Sequence, residues 1–146
     1  MLAHTTPAGA ASVVQNRDEK GRNPYQVHVT IPGNCEPYDC TIRFPQFKLD
    51  GRLVIEQVSC SIQTPPANPP TLVFLWGRAT NLYLRTYLHL DYEAQFNGYN
   101  FYVINTPVLF YFLKGDTPSI DIYRGGGPST APQGDCAISG YHVLTP

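Results

Sequence analysis

From Tyr25 onward the chain is interrupted every few residues by turn formers, and that punctuation constrains its fold more than any other feature. Short apolar alternations are separated by Gly, Pro, Asn and Asp at the roughly 8–12-residue spacing of an all-β sandwich or barrel. The pattern predicts strands near 25–31, 40–48, 52–62, 71–76, 80–93, 99–105, 107–114, 119–124 and 136–144, and no stretch of helical period competes. The turns have mechanisms. Asp50-Gly51 and Asn97-Gly98 supply the positive φ of tight hairpins, Pro65-Pro66 and Pro69-Pro70 cannot join a sheet ladder, and Gly125-Gly126-Gly127-Pro128 is a flexible break. The expected fold is an all-β, antiparallel β-sandwich, jelly-roll-like, of about eight to nine strands.

A length of 146 residues suits one domain of that kind. Residues 1–24 read as an extended polar lead-in with a mixed charge cluster of Arg17, Asp18, Glu19, Lys20 and Arg22, closed by Asn23-Pro24. A short strand fits at Ser12 to Gln15, and residues 25–146 form the sandwich. Only 14% of residues are charged and the formal net charge is -1, so no basic field draws the chain onto nucleic acid. The longest apolar runs, Thr71 to Trp76 and Val108 to Leu113, fall far short of the roughly 20 residues that span a bilayer. Neither a nucleic-acid partner nor membrane insertion is expected. Met1 to Ala11 lacks the basic start and apolar stretch of a secretory signal, which leaves the compartment open, with association with a particle or a non-classical export route as the options.

Alternation assigns faces to the strands. Across Asn81 to Glu93, Leu82, Leu84, Thr86, Leu88, Leu90 and Tyr92 fall on one face, whose leucines are expected in the core, and Tyr83, Arg85, Tyr87, His89, Asp91 and Glu93 on the other. In Arg52 to Ile62 neither face is cleanly polar, so a bulge and a central position are expected. Leu72 to Trp76 and Val108 to Leu113 are apolar on both faces, one face too many for a sandwich with a single core. Either an overlying loop or a copy of the same chain covers the surplus. The predicted homo-oligomer contact comprises Leu72, Phe74, Trp76, Leu109, Tyr111 and Leu113.

Four cysteines allow three pairings. Cys35 and Cys40 flank the turn-like Glu36-Pro37-Tyr38-Asp39 and form the candidate disulfide. Cys60 and Cys136 fit equally well as buried thiols or as a second bridge, and neither has a close partner for a zinc site.

For chemistry, no Gly-x-Ser-x-Gly elbow occurs, and the glycines at 125–127 lack the Lys and Ser or Thr of a phosphate-cradling loop. His89-x-Asp91-x-Glu93 is the one metal-like set, and it needs a further ligand such as His28 or His142. A solvated strand face with a charge pair to Arg85 explains it better, and His28 and His142 read as strand-surface residues, so no metal or other cofactor is expected. Tyr83, Arg85, Tyr87 and His89 form the candidate recognition face, because Tyr and Arg present rigid amphipathic surface to a sugar or a partner.

Two segments, Gly51-Arg52-Leu53-Val54-Ile55-Glu56-Gln57-Val58-Ser59 and Ile138-Ser139-Gly140-Tyr141-His142-Val143, resemble those of tumour-necrosis-factor-like jelly-roll modules in bacterial and phage proteins. The resemblance spans roughly 25–146, implies a homotrimeric adhesive or structural module, and carries over no catalytic residue. The expected function is thus non-enzymatic: a self-associating module of a phage, particle or surface assembly, with another structural protein or a glycan as further partner. A carbohydrate-binding lectin-like domain is the alternative, and a cupin-like metal enzyme ranks third.

Overall fold

The computed structural model describes residues 12–13, 21–33, 35–36, 38–79, 82–125 and 131–144, apart from the side chains of 12, 13, 78, 79, 82 and 83. The described residues are all-β, with no helix and hence none long and apolar enough to cross a membrane. In chain order the strands are β1 (Ser12–Val13), β2 (Asn23–Thr30), β3 (Asp39–Arg43), β4 (Arg52–Thr64) and β5 (Pro70–Ala79). They continue as β6 (Leu82–Tyr87), β7 (Asp91–Phe96), β8 (Tyr99–Leu113), β9 (Ser119–Arg124) and β10 (Gln133–Val143). Two antiparallel sheets result, one ordered β1-β2-β10-β4-β8-β7 and the other β3-β9-β5-β6. Leaving aside β1 and β7 at the rims, the chain distributes four strands to each sheet and crosses between them repeatedly, which is a jelly-roll-like sandwich.

The core lies between the sheets. From one side come Leu53, Ile55, Val58, Ile62, Ile104, Phe110, Phe112 and Ile138; from the other, Ile42, Val73, Leu75, Ile120 and Ile122. Period-two alternation generates this list directly for β3, β5 and β9. In β4 the phase slips, since Ile55 and Val58 both face inward, and the register shifts against β8 between Ile55 and Gln57. That bulge is why neither face of this segment looks polar in the sequence. As expected, β4 is central, between β10 and β8.

Several strand boundaries differ from expectation. The predicted strand 80–93 is broken: β6 ends at Tyr87 on the edge of one sheet, and β7 begins at Asp91 on the edge of the other. Leu88 fills the corner between them, buried, with its N–H donating to the Val73 carbonyl at 2.9 Å. The predicted strands 99–105 and 107–114 are instead one, β8. Pro107 is tolerated there because β7 pairs with β8 only as far as Val103, leaving that side of β8 without a ladder in which an N–H is needed. Residues 44–48 leave the ladder after Arg43, and Pro70 opens β5 rather than standing outside it.

Of the two expected tight hairpins Asn97-Gly98 forms, whereas Asp50-Gly51 lies on the link between β3 and β4, which belong to different sheets, and so closes no hairpin. Asn97 and Gly98 have φ of 49° and 80°, the pair of positive angles a two-residue type I′ hairpin needs between β7 and β8. Gly51, with φ of 100°, precedes β4. The 14–15 end of the expected first strand, the charges from Arg17 to Lys20 and residues 126–128 of the glycine break lie outside the described residues.

Both pairs of cysteines are bridged. Cys35 and Cys40 close the loop leading into β3 with Cα atoms 4.7 Å apart. Cys60 and Cys136 are directly opposed on β4 and β10, inside the core, and form the second bridge that spacing alone left open. Arg124 secures the first loop: its backbone N–H donates to the Tyr38 carbonyl and its Nη2 to that of Glu36, each at 2.9 Å. Burial lowers the pKa of its guanidinium below the ordinary arginine value.

Candidate recognition surface

On β5, the inward set Val73 and Leu75 leaves Leu72, Phe74 and Trp76 pointing away from the core. On β9, inward Ile120 and Ile122 leave Ser119, Asp121 and Tyr123 outward. The ladder then fixes which outward residues meet. One row runs Thr41, Asp121, Phe74, Tyr87; the next runs Arg43, Ser119, Trp76, Arg85. Arg85 and Tyr87 of the predicted recognition face therefore share a surface with Phe74 and Trp76 of the predicted oligomer contact. Sequence alone separated these sets, because nothing local announces that β5 and β6 are ladder partners.

The rings on this surface pack closely. Phe74 stacks on Tyr123 at 5.6 Å between centroids, meets Tyr87 edge-on at 6.0 Å, and carries the Arg85 guanidinium 5.1 Å above its ring. Phe74 is accordingly only 5% exposed, covered by its own chain, which corrects its assignment as a free interface residue. Tyr87, Arg85 and Leu72 are exposed and Trp76 is half-buried. Leu84 was expected in the core but is 49% exposed, since β6 is the last strand of its sheet and has a ladder neighbour on one side only. The side chains of Leu82 and Tyr83 lie outside the described residues.

Phe74, Trp76, Leu84, Arg85, Asp121 and Tyr123 line a shallow cavity of about 180 Å³. Asp121 stands out within it. The residue is 9% exposed, and its Oδ1 is buried with no hydrogen-bond partner among the described residues. It was missed in the sequence because an Asp between two isoleucines in an alternating strand reads as an ordinary solvent-facing position.

The remaining candidates are dispersed. His89, in the link between the two sheets, contacts Asp91 with Nε2 2.9 Å from Oδ1, but does not share a strand face with it. Glu93 falls at the β7 register shift between Tyr92 and Ala94. The expected His89, Asp91, Glu93 face thus fails because the strand that would align them is broken and bulged. Arg85 lies over Phe74 rather than in an ion pair with these carboxylates. Exposed His28 lies 3.3 Å from Asp135. His142 is 2% exposed, contrary to its reading as a surface residue: alternation through Cys136, Ile138 and Gly140 turns it inward. There its Nε2–H donates to the Asp50 carbonyl at 2.6 Å, and its ring meets Phe47 edge-on at 5.2 Å. Among the described residues no three His, Cys, Asp or Glu cluster as a metal site would require.

The opposite outer face belongs to the six-stranded sheet. Phe110 and Phe112 face the core, and Leu109, Tyr111 and Leu113 face out with 65%, 44% and 46% exposure. Val54 also points outward yet is fully buried, standing between its ladder partners Tyr111 and Tyr141. Arg52 lies 4.9 Å from the Tyr111 ring centroid and Arg22 4.5 Å from that of Tyr141. The six residues assigned to one oligomer contact are therefore two sets on opposite sides of the sandwich. Comparison of the chain with family models, curated proteins and solved structures found no match.

Proposed function

We propose that the protein is a non-enzymatic structural or interaction module that self-associates, as a component of a particle or surface assembly. The observation that carries this reading is the row Leu109, Tyr111, Leu113 on β8, all more than 40% exposed on one outer face. Three consecutive outward apolar side chains, continuous with Val54 and Tyr141, form the kind of patch that soluble proteins bury against a partner. A second copy is the occupant: the formal net charge of -1 gives two copies little mutual repulsion. A closed ring follows if the rotation between copies closes, and a trimer is the form the jelly-roll resemblance favours.

Two further observations support a structural role. Among the described residues every cysteine is bridged, so no thiol serves as a nucleophile. Two disulfides suit a protein that works outside a reducing cytosol. Sedimentation velocity of the full chain at micromolar concentration tests the reading. A single closed species larger than the monomer is expected, and a monomer overturns it.

A further inference from the structure

We infer that the cavity on the outer face of the four-stranded sheet is a binding site for a neutral, hydroxyl-rich ligand, a single sugar ring. This site lies across the sandwich from the β8 patch and is independent of the self-association reading. Asp121 lines it, and its Oδ1 is buried and unpartnered among the described residues, so a donor reaches that oxygen once the side chains over it shift. A buried carboxyl oxygen without a donor is costly and calls for an explanation in a native structure, and a ligand hydroxyl supplies one here.

The surroundings select the ligand. Arg85 lines the same cavity, so an added cation meets a like charge and an added anion meets Asp121. A neutral group with hydroxyls satisfies both: one hydroxyl donates to Asp121, and a hydroxyl or ring oxygen accepts from Arg85. Trp76, Tyr123 and Leu84 supply apolar wall for the C–H face of such a ring. A volume of about 180 Å³ is below the roughly 300–1,000 Å³ of pockets that enclose drug-sized molecules, so one ring enters and the rest of a chain runs on across exposed Tyr87.

The test is titration of the full chain with free neutral hexoses and N-acetylhexosamines at millimolar concentration, followed by heteronuclear NMR, with tetramethylammonium and a uronate as charged controls. At least one neutral sugar should bind and shift the amides of Phe74, Arg85 and Asp121. Asp121→Asn is nearly isosteric and should weaken binding about tenfold or more, the loss expected for a charge-assisted hydrogen bond. The melting temperature of this variant reports whether it folds. Arg85→Gln, at an exposed position, should weaken binding in the same direction and serves if Asp121→Asn is unstable. No binding by any neutral sugar, preference for a charged control, or unchanged affinity in a folded Asp121→Asn variant would each overturn the inference.

Discussion

A Cβ placed on Gly77 of β5 would stand 2.3 Å from Cε1 of Phe112 on β8, so the Phe112 ring occupies the space a side chain there would need. Phe112 of one sheet thus packs against bare backbone of the other, and it is fully buried. Gly77→Ala should destabilise the fold by about 1–3 kcal/mol through overpacking. Urea unfolding measures this, and the penalty should shrink when Phe112 is also changed to Leu. Equal penalties in the two backgrounds would show that the contact does not limit packing.

The alternation of Leu109, Tyr111 and Leu113 against Phe110 and Phe112 was readable because a strand has period two whatever it pairs with. The same rule failed for residues 81–93, where the periodic stretch spans a crossing from one sheet to the other. His142 obeys the rule, in phase with buried Cys136 and Ile138; its polar side chain is what reads as a surface position. Asp121 and Phe74 were out of reach for a different reason: their relationship is a ladder pair between β9 and β5, and partner strands are not encoded in either segment. The Cys60–Cys136 bridge is of the same kind, an opposed pair between strands distant in sequence.

Tyr25 gives the fold an alkaline limit. It is 4% exposed, and burial pushes its phenol up from 10.0 to about 12. The folded state thus holds the neutral phenol more tightly than the unfolded chain, a contribution fully present below pH 10 and lost as the pH climbs to about 12. A shift of this size corresponds to roughly 3 kcal/mol. Denaturant midpoints followed from neutral to alkaline pH should fall less steeply in Tyr25→Phe than in the wild type. Parallel curves would mean that Tyr25 is not the group responsible.

The two disulfides should contribute unequally. Cys60 and Cys136 are separated by 76 residues and Cys35 and Cys40 by 5. Chain-entropy arithmetic assigns about 4–5 kcal/mol to a loop of the first length and about 2 kcal/mol to one of the second. Replacing Cys60 and Cys136 together with Ala should therefore lower the denaturation midpoint about twice as far as replacing Cys35 and Cys40. Equal losses would point to the Arg124-held loop as a larger element of stability than its length implies.

Tyr111→Asp tests the self-association surface at its centre. A charge enclosed between subunits without a partner costs several kcal/mol, enough to dissociate an oligomer at micromolar concentration. Tyr111 also flanks buried Val54, so this change alone could act by loosening the sheet. Leu109→Asp removes that ambiguity: Leu109 is 65% exposed, and a polar replacement at such a position costs an isolated chain only about 0.5 kcal/mol. Both variants should sediment as folded monomers with nearly wild-type circular dichroism, while Ser59→Asp, exposed on the same sheet, should leave the oligomer intact. If both β8 variants assemble like the wild type, the row Leu109, Tyr111, Leu113 is not the contact.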